Sequence, residues 1–290
     1  MKAILFYKYT PILDSYGFYE EQINLCKKLG LNGRLLVGRE GINGTLSGDE
    51  EAIEEYKKKL TEKKMFNDLI FKEDFVKEHV FDKIFVRMRK EVVNFGVNNL
   101  DLNKSGEKIS PKKFKKLLDE KEDLIILDVR NNYEYEIGRF KKAINLDINN
   151  FREFPEKIKE LSYLKNKRII TYCTGGIRCE KASSYMKQIG FKEVYQLENG
   201  IIGYNNECPN SYFEGKCFVF DKRISVPINT GEHENIISNC IFCNEPCDRY
   251  VNCYDTDCNN LFICCENCQL ENDRLCNEHS NDVILSTNPC

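Results

Sequence analysis

The sequence predicts an α/β protein in three parts: an N-terminal α+β module, a central doubly wound parallel sheet, and a cysteine-rich C-terminal region built around metal. Three observations carry that expectation. Residues 1–95 order as β-α-β-β-α-β, and residues 108–206 alternate short apolar runs with helical patterns. Only Cys26, Cys173 and Cys179 precede residue 200, and the other twelve of the 15 cysteines fall between Cys208 and Cys290. A chain of 290 residues is long for one domain and comfortable for two or three. Its 41% hydrophobic and 31% charged residues allow a packed core and argue against wholesale disorder. A net charge of -3 excludes a strongly basic, histone-like nucleic-acid binder and leaves room for a local basic patch.

In the first part, Ile4–Tyr9 suits a strand, and Tyr19–Leu29 has helical spacing with Ile23, Cys26 and Leu29 on one face, stopped by Gly30. Arg34–Val37 reads as a strand, followed by a Gly-rich turn through Gly41, Asn43 and Gly44 and an extended piece at Thr45 and Leu46. Asp49–Leu60 reads as a helix that opens with acids and closes with Lys57, Lys58 and Lys59, matching the macrodipole. Leu69–Phe71 and Ile84–Met88 complete a ferredoxin-like split βαβ plan. Residues 96–107 are polar and read as a linker.

In the second part, Ser110 is a cap and Pro111 the first helical residue of a helix reaching Glu120. Strands are expected at Leu124–Val129, Ala143–Ile148, Arg168–Tyr172 and Val194–Leu197, with helices at Phe151–Leu164 and Glu180–Ile189. In doubly wound sheets ligands sit at the carboxyl ends of the strands, which is where Cys173 lies.

The run Cys173-Thr174-Gly175-Gly176-Ile177-Arg178-Cys179 joins strand to helix. Backbone N–H groups of a tight loop and the positive end of the next helix stabilise a thiolate or an anion there. Arg178 adds a fixed positive charge. Cysteine phosphatases use a wider Cys-x5-Arg cradle; here Cys173 and Arg178 enclose four residues, a ring suited to a single sulfur or a small leaving group. Cys179 reads either as a resolving thiol or as a helix-facing core residue.

The third part, residues 207–290, has little apolar periodicity and needs a cross-link other than a large core. Cys240 with Cys243 and Cys265 with Cys268 are knuckles of metal-ligand spacing; Cys253 with Cys258 and Cys276 with His279 supply two more pairs. Four pairs make two tetrahedral zinc sites, cross-braced if the first pair joins the third and the second joins the fourth. Cys247 and Cys264 are left over and could replace His279. Sites with four protein ligands have no open position, so the zinc is expected to be structural.

The N-terminal apolar run ends at Lys8, too short for a secretory signal, and no stretch reaches the ~20 apolar residues of a membrane span. The expectation is a cytoplasmic protein with no membrane partner, where clustered cysteines point to metal or catalysis before disulfides. No nicotinamide, flavin or haem motif is visible, and His79, His233 and His279 lie too far apart in sequence to suggest an iron site.

Asp128-Val129-Arg130, Glu134-Tyr135-Glu136-Ile137-Gly138-Arg139, Ala143-Ile144-Asn145 and the Cys173 loop together resemble the rhodanese-domain signature. More narrowly, Cys173 to Ala182, with Glu40-Gly41-Ile42-Asn43-Gly44-Thr45, Phe151-Arg152-Glu153-Phe154-Pro155 and Cys247 to Cys253, resembles the bacterial rhodanese-domain tRNA uridine hydroxylase family over nearly the whole chain. Asn199 departs from the family, which usually has glycine there. The resemblance implies an acylphosphatase-like, RNA-contacting N-terminal module and a central rhodanese domain. It further implies oxidation of the wobble uridine (position 34) of tRNA to 5-hydroxyuridine, with molecular oxygen as co-substrate and Cys173 as essential thiol. It turns Asn43, Arg87, Arg89 and Arg139 into candidate RNA contacts, and Tyr133 and Tyr135 into candidates for stacking a base, although core packing suits them equally. The rivals are a sulfurtransferase carrying a Cys173 persulfide and a non-catalytic zinc- and RNA-binding adaptor.

Overall fold

The computed structural model describes residues 1–231, 235–258 and 260–279; His233 and Cys290 lie outside them. The N-terminal module contains β1 (Lys2–Tyr9), α1 (Ser15–Lys28), β2 (Asn32–Gly38), β3 (Gly41–Gly48), α2 (Glu50–Thr61), β4 (Lys72–Phe75) and β5 (Ile84–Met88). The sheet runs β4-β1-β3-β2-β5, the ferredoxin-like order with β5 added in parallel beside β2. Period-2 alternation divides its two faces. Ile4, Phe6, Leu35, Val37, Ile42 and Leu46 bury against Phe18 and Cys26 of α1 and Ile53, Tyr56 and Leu60 of α2. Leu5, Tyr7, Arg34, Leu36, Asn43, Thr45, Phe85 and Arg87 share the opposite face by register.

Two readings of this module are corrected. Gly41, Asn43 and Gly44 do not form a turn but lie within β3, where Asn43 pairs with Tyr7 on one side and Leu36 on the other. Burial of Ile42 and Leu46 outweighs the turn preference of glycine and asparagine. The strand expected at Leu69–Phe71 starts at Lys72, because the Leu69 N–H donates to the Phe66 carbonyl (3.1 Å) in a closing turn.

The central part contains β6 (Glu107–Ile109), α3 (Pro111–Asp119), β7 (Ile125–Asp128), α4 (Asn132–Ile137), β8 (Gly138–Phe140), α5 (Phe154–Lys157), β9 (Arg168–Tyr172), α6 (Ile177–Gln188), β10 (Glu193–Leu197) and α7 (Gly200–Glu207). Its parallel sheet runs β6-β10-β9-β7. Ile126 and Ile170 face one core with Phe114, Ile201 and Tyr204, while Leu127 and Ile169 face another with Met186 and Phe154, so both faces are covered. Ser110 accepts a hydrogen bond from the Lys113 N–H and Pro111 opens α3, as its sequence demands.

Ala143–Ile148 contributes only a bridge from Ile144 to Leu127, because Lys142 and Asp147 adopt positive φ and interrupt an extended run. Phe151–Leu164 is not one helix: Pro155 restricts α5 to a start, and 3-10 turns flank it, with Leu161 leaving helical geometry. Asn199, the departure from the family's glycine, takes φ 58°, a left-handed conformation that asparagine tolerates.

The tail adds β11 (Phe213–Phe218), β12 (Ser225–Pro227), β13 (Tyr250–Asn252), β14 (Leu261–Ile263) and α8 (Glu266–Glu271). Strand β11 pairs with β8, joining the tail to the central part. Tyr250 donates its hydroxyl to the Tyr133 carbonyl of α4, and Phe218 packs on both rings. No helix among the described residues is long and apolar enough to cross a membrane.

One buried cation ties the first two parts together. Lys181, on α6 and 3% exposed, donates to Glu40 (3.0 Å), Glu91 (2.9 Å) and the Val93 carbonyl (3.0 Å). Glu40 also accepts from the Val92 N–H (2.7 Å). Replacing Lys181→Met leaves two carboxylates facing each other beside an unpaired carbonyl. The expected cost is about 2 kcal/mol, because the acids keep some hydration. Urea unfolding measures it, and an unchanged midpoint would refute the role of this lysine as a fastener.

Candidate active site

The apolar strand β9 delivers Cys173 to the sheet's carboxyl edge, 1% exposed. Helix α7 then holds the loop by its backbone: Ile201 N–H donates to the Cys173 carbonyl (3.0 Å) and Ile202 N–H to that of Thr174 (3.2 Å). The Gly176 N–H points at the Cys173 sulfur (3.1 Å). Gly176 takes φ +100° as it enters α6, and an added Cβ would meet the Tyr7 hydroxyl at 3.0 Å. At Gly175 a Cβ would lie 2.9 Å from Leu5. The double glycine therefore serves a close approach of β1 as well as the turn.

Burial alone would push the Cys173 thiol up. The hydrogen bond from Cys179, the Arg178 charge and the N–H groups of Arg178 and Gly176 outweigh it and bring the group down to about 6. Cys179 moves in the opposite direction, raised by burial and by its bond to Cys173. Arg178 forms a fork with Glu134 of α4, Nη1–Oε2 2.5 Å and Nη2–Oε1 2.6 Å. Asn131 and Glu134 form a capping box, and Phe220 lies 5.8 Å from the guanidinium. The cation is thus pinned and largely neutralised: it helps set the charge of Cys173 rather than standing free to bind an anion.

A cavity of about 290 Å³ opens above the sulfur. Its floor is Cys173, Thr174, Gly175, Ile177 and Arg178; its roof is Leu5, Leu36, Asn43 and Thr45 of the N-terminal sheet; Ile202, Val219 and Phe220 close the sides. The Asn43 amide donates to the Val92 carbonyl (3.0 Å), which leaves its oxygen as an acceptor.

The other candidate RNA contacts do not line this cavity. Arg87 lies on β5 against the Phe85 ring, and Arg89 follows that strand in a shallow cleft with Arg39 and Lys90. Arg139 stacks on Tyr135 (4.7 Å) and donates to the Tyr135 and Glu136 carbonyls. Tyr133 and Tyr135 are packing residues: Tyr133 meets Phe218 at 5.0 Å, and the Tyr135 hydroxyl donates to the Ala143 carbonyl (3.0 Å).

Sequence reading missed Leu5, Tyr7, Arg34, Leu36, Phe81, Phe220 and Lys72. Alternation in β2 puts Arg34 and Leu36 opposite the core residues Leu35 and Val37, which was the available signal. Lys72 carried none. It pairs with Leu5 in β4, is 7% exposed, and holds its ammonium 5.2 Å from the Tyr7 ring. Burial lowers it to about 8, with Cys173 raising it and Lys108 lowering it.

In the tail, the ligand atoms of Cys240, Cys243, Cys265 and Cys268 lie within 4.8 Å of one another, as do those of Cys253, Cys258, Cys276 and His279. The first pair joins the third and the second joins the fourth, the cross-braced arrangement. N–H groups of Cys265 and Cys276 point at the sulfurs of Cys240 (3.4 Å) and Cys253 (3.5 Å), the outer support a metal-bound thiolate needs. Both sets can hold a metal, and thiolates with one imidazole are the donors zinc takes. Cys247 and Cys264 belong to neither set; the Cys264 thiol donates to the Cys265 carbonyl (3.3 Å).

Family models match three stretches: the UPF0176 acylphosphatase like domain over residues 1–92, the Rhodanese-like domain over 110–207 and the Rhodanase C-terminal over 214–281. A tRNA uridine(34) hydroxylase from Cytophaga hutchinsonii is 44% identical over 278 residues, 96% of this chain and 88% of the relative. One from Onion yellows phytoplasma is 44% identical over 269 residues, 91% of this chain and 87% of the relative. Among solved structures, a rhodanese-related protein from Thermoplasma volcanium is 25% identical, covering 35% of this chain and 93% of its own at a TM-score of 0.30.

The charge on Cys173 can be read directly. Its alkylation by iodoacetamide, followed by peptide mass spectrometry, is expected to rise through a midpoint near pH 6 and then level off. Cys179→Ala removes a hydrogen bond that favours the thiolate and shifts the midpoint upward. A native midpoint at the ordinary thiol value of 9.0 would contradict the assignment.

Proposed function

The chain belongs to the tRNA uridine(34) hydroxylase family, and on that premise we propose that it converts the wobble uridine of tRNA to 5-hydroxyuridine, with molecular oxygen as co-substrate and Cys173 as the essential thiol. The observation that carries this reading is a thiolate-prone sulfur at the floor of a largely apolar cavity of about 290 Å³. A pyrimidine ring is flat and apolar on its faces and polar at its edge, and the cavity matches it with aliphatic walls and the Asn43 carbonyl oxygen, an acceptor for the uracil N3–H.

In this reading the chain's own contribution is nucleophilic. The Cys173 thiolate adds to C6 of uracil, forming an Sγ–C6 bond as the C5–C6 π pair moves onto C5 and the C4 carbonyl. That makes C5 electron-rich toward the oxidant. Placing one atom of molecular oxygen on C5 as a hydroxyl and releasing the other as water takes two electrons and two protons, which an external reductant such as a small thiol would supply; loss of the C5 proton and departure of the thiolate from C6 then restore the C5–C6 double bond. Thr174, Gly175, Gly176 and Ile177 shape the loop, and Arg178, held by Glu134, keeps Cys173 ionised so that it is both a nucleophile and a leaving group.

We assign residues 1–95 as the RNA-contacting module, 96–107 as the linker, 108–206 as the rhodanese domain and 207–290 as a tail binding two zinc ions. The two donor sets fill four positions each, so the zinc is structural and buttresses α4, which carries Glu134. A tRNA substrate implies a cytoplasmic enzyme.

Nucleoside mass spectrometry of tRNA from cells carrying the native chain or Cys173→Ser tests the main claim. The expected result is loss of 5-hydroxyuridine and its derivatives in the variant. Unchanged levels would overturn the role of Cys173, while robust thiocyanate release from thiosulfate and cyanide without hydroxylation would make the chain a sulfurtransferase. Elemental analysis of the purified protein is expected to give two zinc ions per chain. Cys240→Ala is expected to bring this to about one and lower the melting temperature; zinc-free native protein would refute the metal assignment.

A further inference from the structure

The face of the N-terminal sheet that roofs the cavity does not stop at the cavity. Its cross-strand register forms two continuous rows. One runs Lys72, Leu5, Thr45, Arg34, Phe85 across β4-β1-β3-β2-β5, and the next runs Tyr7, Asn43, Leu36, Arg87. Each row touches the Cys173 loop through Leu5 or Tyr7 and ends at the edge strand β5, three strand spacings or about 14 Å away.

The far ends of these rows are cationic. Arg34 and Arg87 are exposed, and among the described residues neither side chain makes a hydrogen bond or an ion pair. Phe85 gathers Lys83 and Arg87 on its ring, at 5.1 and 5.8 Å. Arg223, on another wall of the cavity, behaves differently: Asp221 and Asp74 saturate it at 2.6 and 2.7 Å. On the helix-covered side of the module, Lys57 and Lys59 likewise pair with carboxylates. Other cations without an ion pair, Lys27, Lys28 and Lys58 among them, lie on the helices across the sheet from the cavity, whereas Arg34, Lys83 and Arg87 lie on the side continuous with it. The strand that presents them is anchored, because Ile84 and Val86 pack into the module's core from its other side.

We propose that this cationic edge, formed by Arg34, Lys83 and Arg87 with Phe85 as the ring that spaces them, binds the phosphates of the single-stranded RNA flanking the reacting nucleotide. The assignment rests on the tRNA uridine reading above and adds to it the direction in which the strand leaves the cavity: over β2 and β5. Charge complementarity selects the occupant, since a polyanionic strand whose base enters the cavity must carry its neighbouring phosphates across one of the cavity's rims, and this is the rim with free cations.

The test is binding of an anticodon stem-loop RNA to the full-length zinc-loaded protein, followed by fluorescence anisotropy across a salt series. Arg34→Ala with Arg87→Ala is expected to weaken binding by about tenfold and to reduce the slope of log affinity against log salt by about 1.4, two phosphate contacts to a single strand. With native tRNA the double variant is expected to raise KM and leave kcat unchanged. Lys59→Ala, on α2 across the sheet, is expected to bind RNA like the native chain. Native affinity and native salt slope in the Arg34/Arg87 variant would overturn the proposal while hydroxylation by the native protein continued to support the wider reading. Absence of both RNA binding and 5-hydroxyuridine formation with the native protein would instead remove that wider reading, and this proposal with it.

Discussion

The site depends on one seam: the contact between β1 and the Cys173 loop, fastened by Lys181. A thiolate buried to 1% exposure is costly unless its surroundings are fixed and polar in the right places. The rhodanese part supplies the amides and the helix end, but the N-terminal module supplies the lid that excludes water. Leu5 and Tyr7 approach so closely that a Cβ at residue 175 or 176 would crowd them, and the φ of +100° at Gly176 further favours glycine. The two segments that make the chain resemble its family, Glu40 to Thr45 and Cys173 to Ala182, are far apart in sequence and meet here through the Glu40–Lys181 ion pair. Their joint presence has a mechanical reason: one half of the cavity is useless without the other.

The pairing of Arg178 with Glu134 then poses a question of magnitude. A free guanidinium would be the obvious stabiliser of a thiolate, yet a buried arginine without a partner is itself unstable. The fork to Glu134 satisfies the cation, whose charge still acts on Cys173 after the Cys179 hydrogen bond and ahead of the loop amides. Glu134 sits in a two-turn helix whose neighbour Tyr133 is gripped by Tyr250 and Phe218. The tail's two donor sets flank the β13–β14 hairpin that carries Tyr250, and so the cysteine-rich region, remote from the sulfur, fixes the position of the group that orients Arg178.

What was legible in the sequence follows the strength of each local signal. Ligand spacing made the four donor pairs readable but left their joining, and the place of Cys247 and Cys264, to the fold; a loop between an apolar strand and a helix made Cys173 readable. The element order of the N-terminal module gave its topology because alternation and helical period are set by burial. Failures came where two local rules conflicted. Asn43 and its glycines favour a turn, but cross-strand partners and the burial of Ile42 and Leu46 hold them in a strand. Pro155 and the positive φ of Lys142 and Asp147 broke elements that hydrophobic content alone suggested. Lys72 and Phe220 were invisible because they act through tertiary placement, and the alternation that puts Arg34 opposite the core carried no rule joining it to Cys173.

The fifteen cysteines are therefore sorted by surroundings rather than by number. Cys26 lies in an apolar helix-sheet core, where burial pushes its thiol up to about 12 and makes it inert. Cys217 is driven the same way by the same cause. Cys173, equally buried, goes down, because donors converge on its sulfur where Cys26 has none. The seven cysteines of the donor sets lie in a region with little apolar periodicity, and with His279 they form two sets that can hold a metal as a cross-link. Burial dominates at Cys26 and Cys217, a neighbouring thiol, a guanidinium and loop amides outweigh it at Cys173, and clustering of four donor atoms sets apart the residues that can hold a metal.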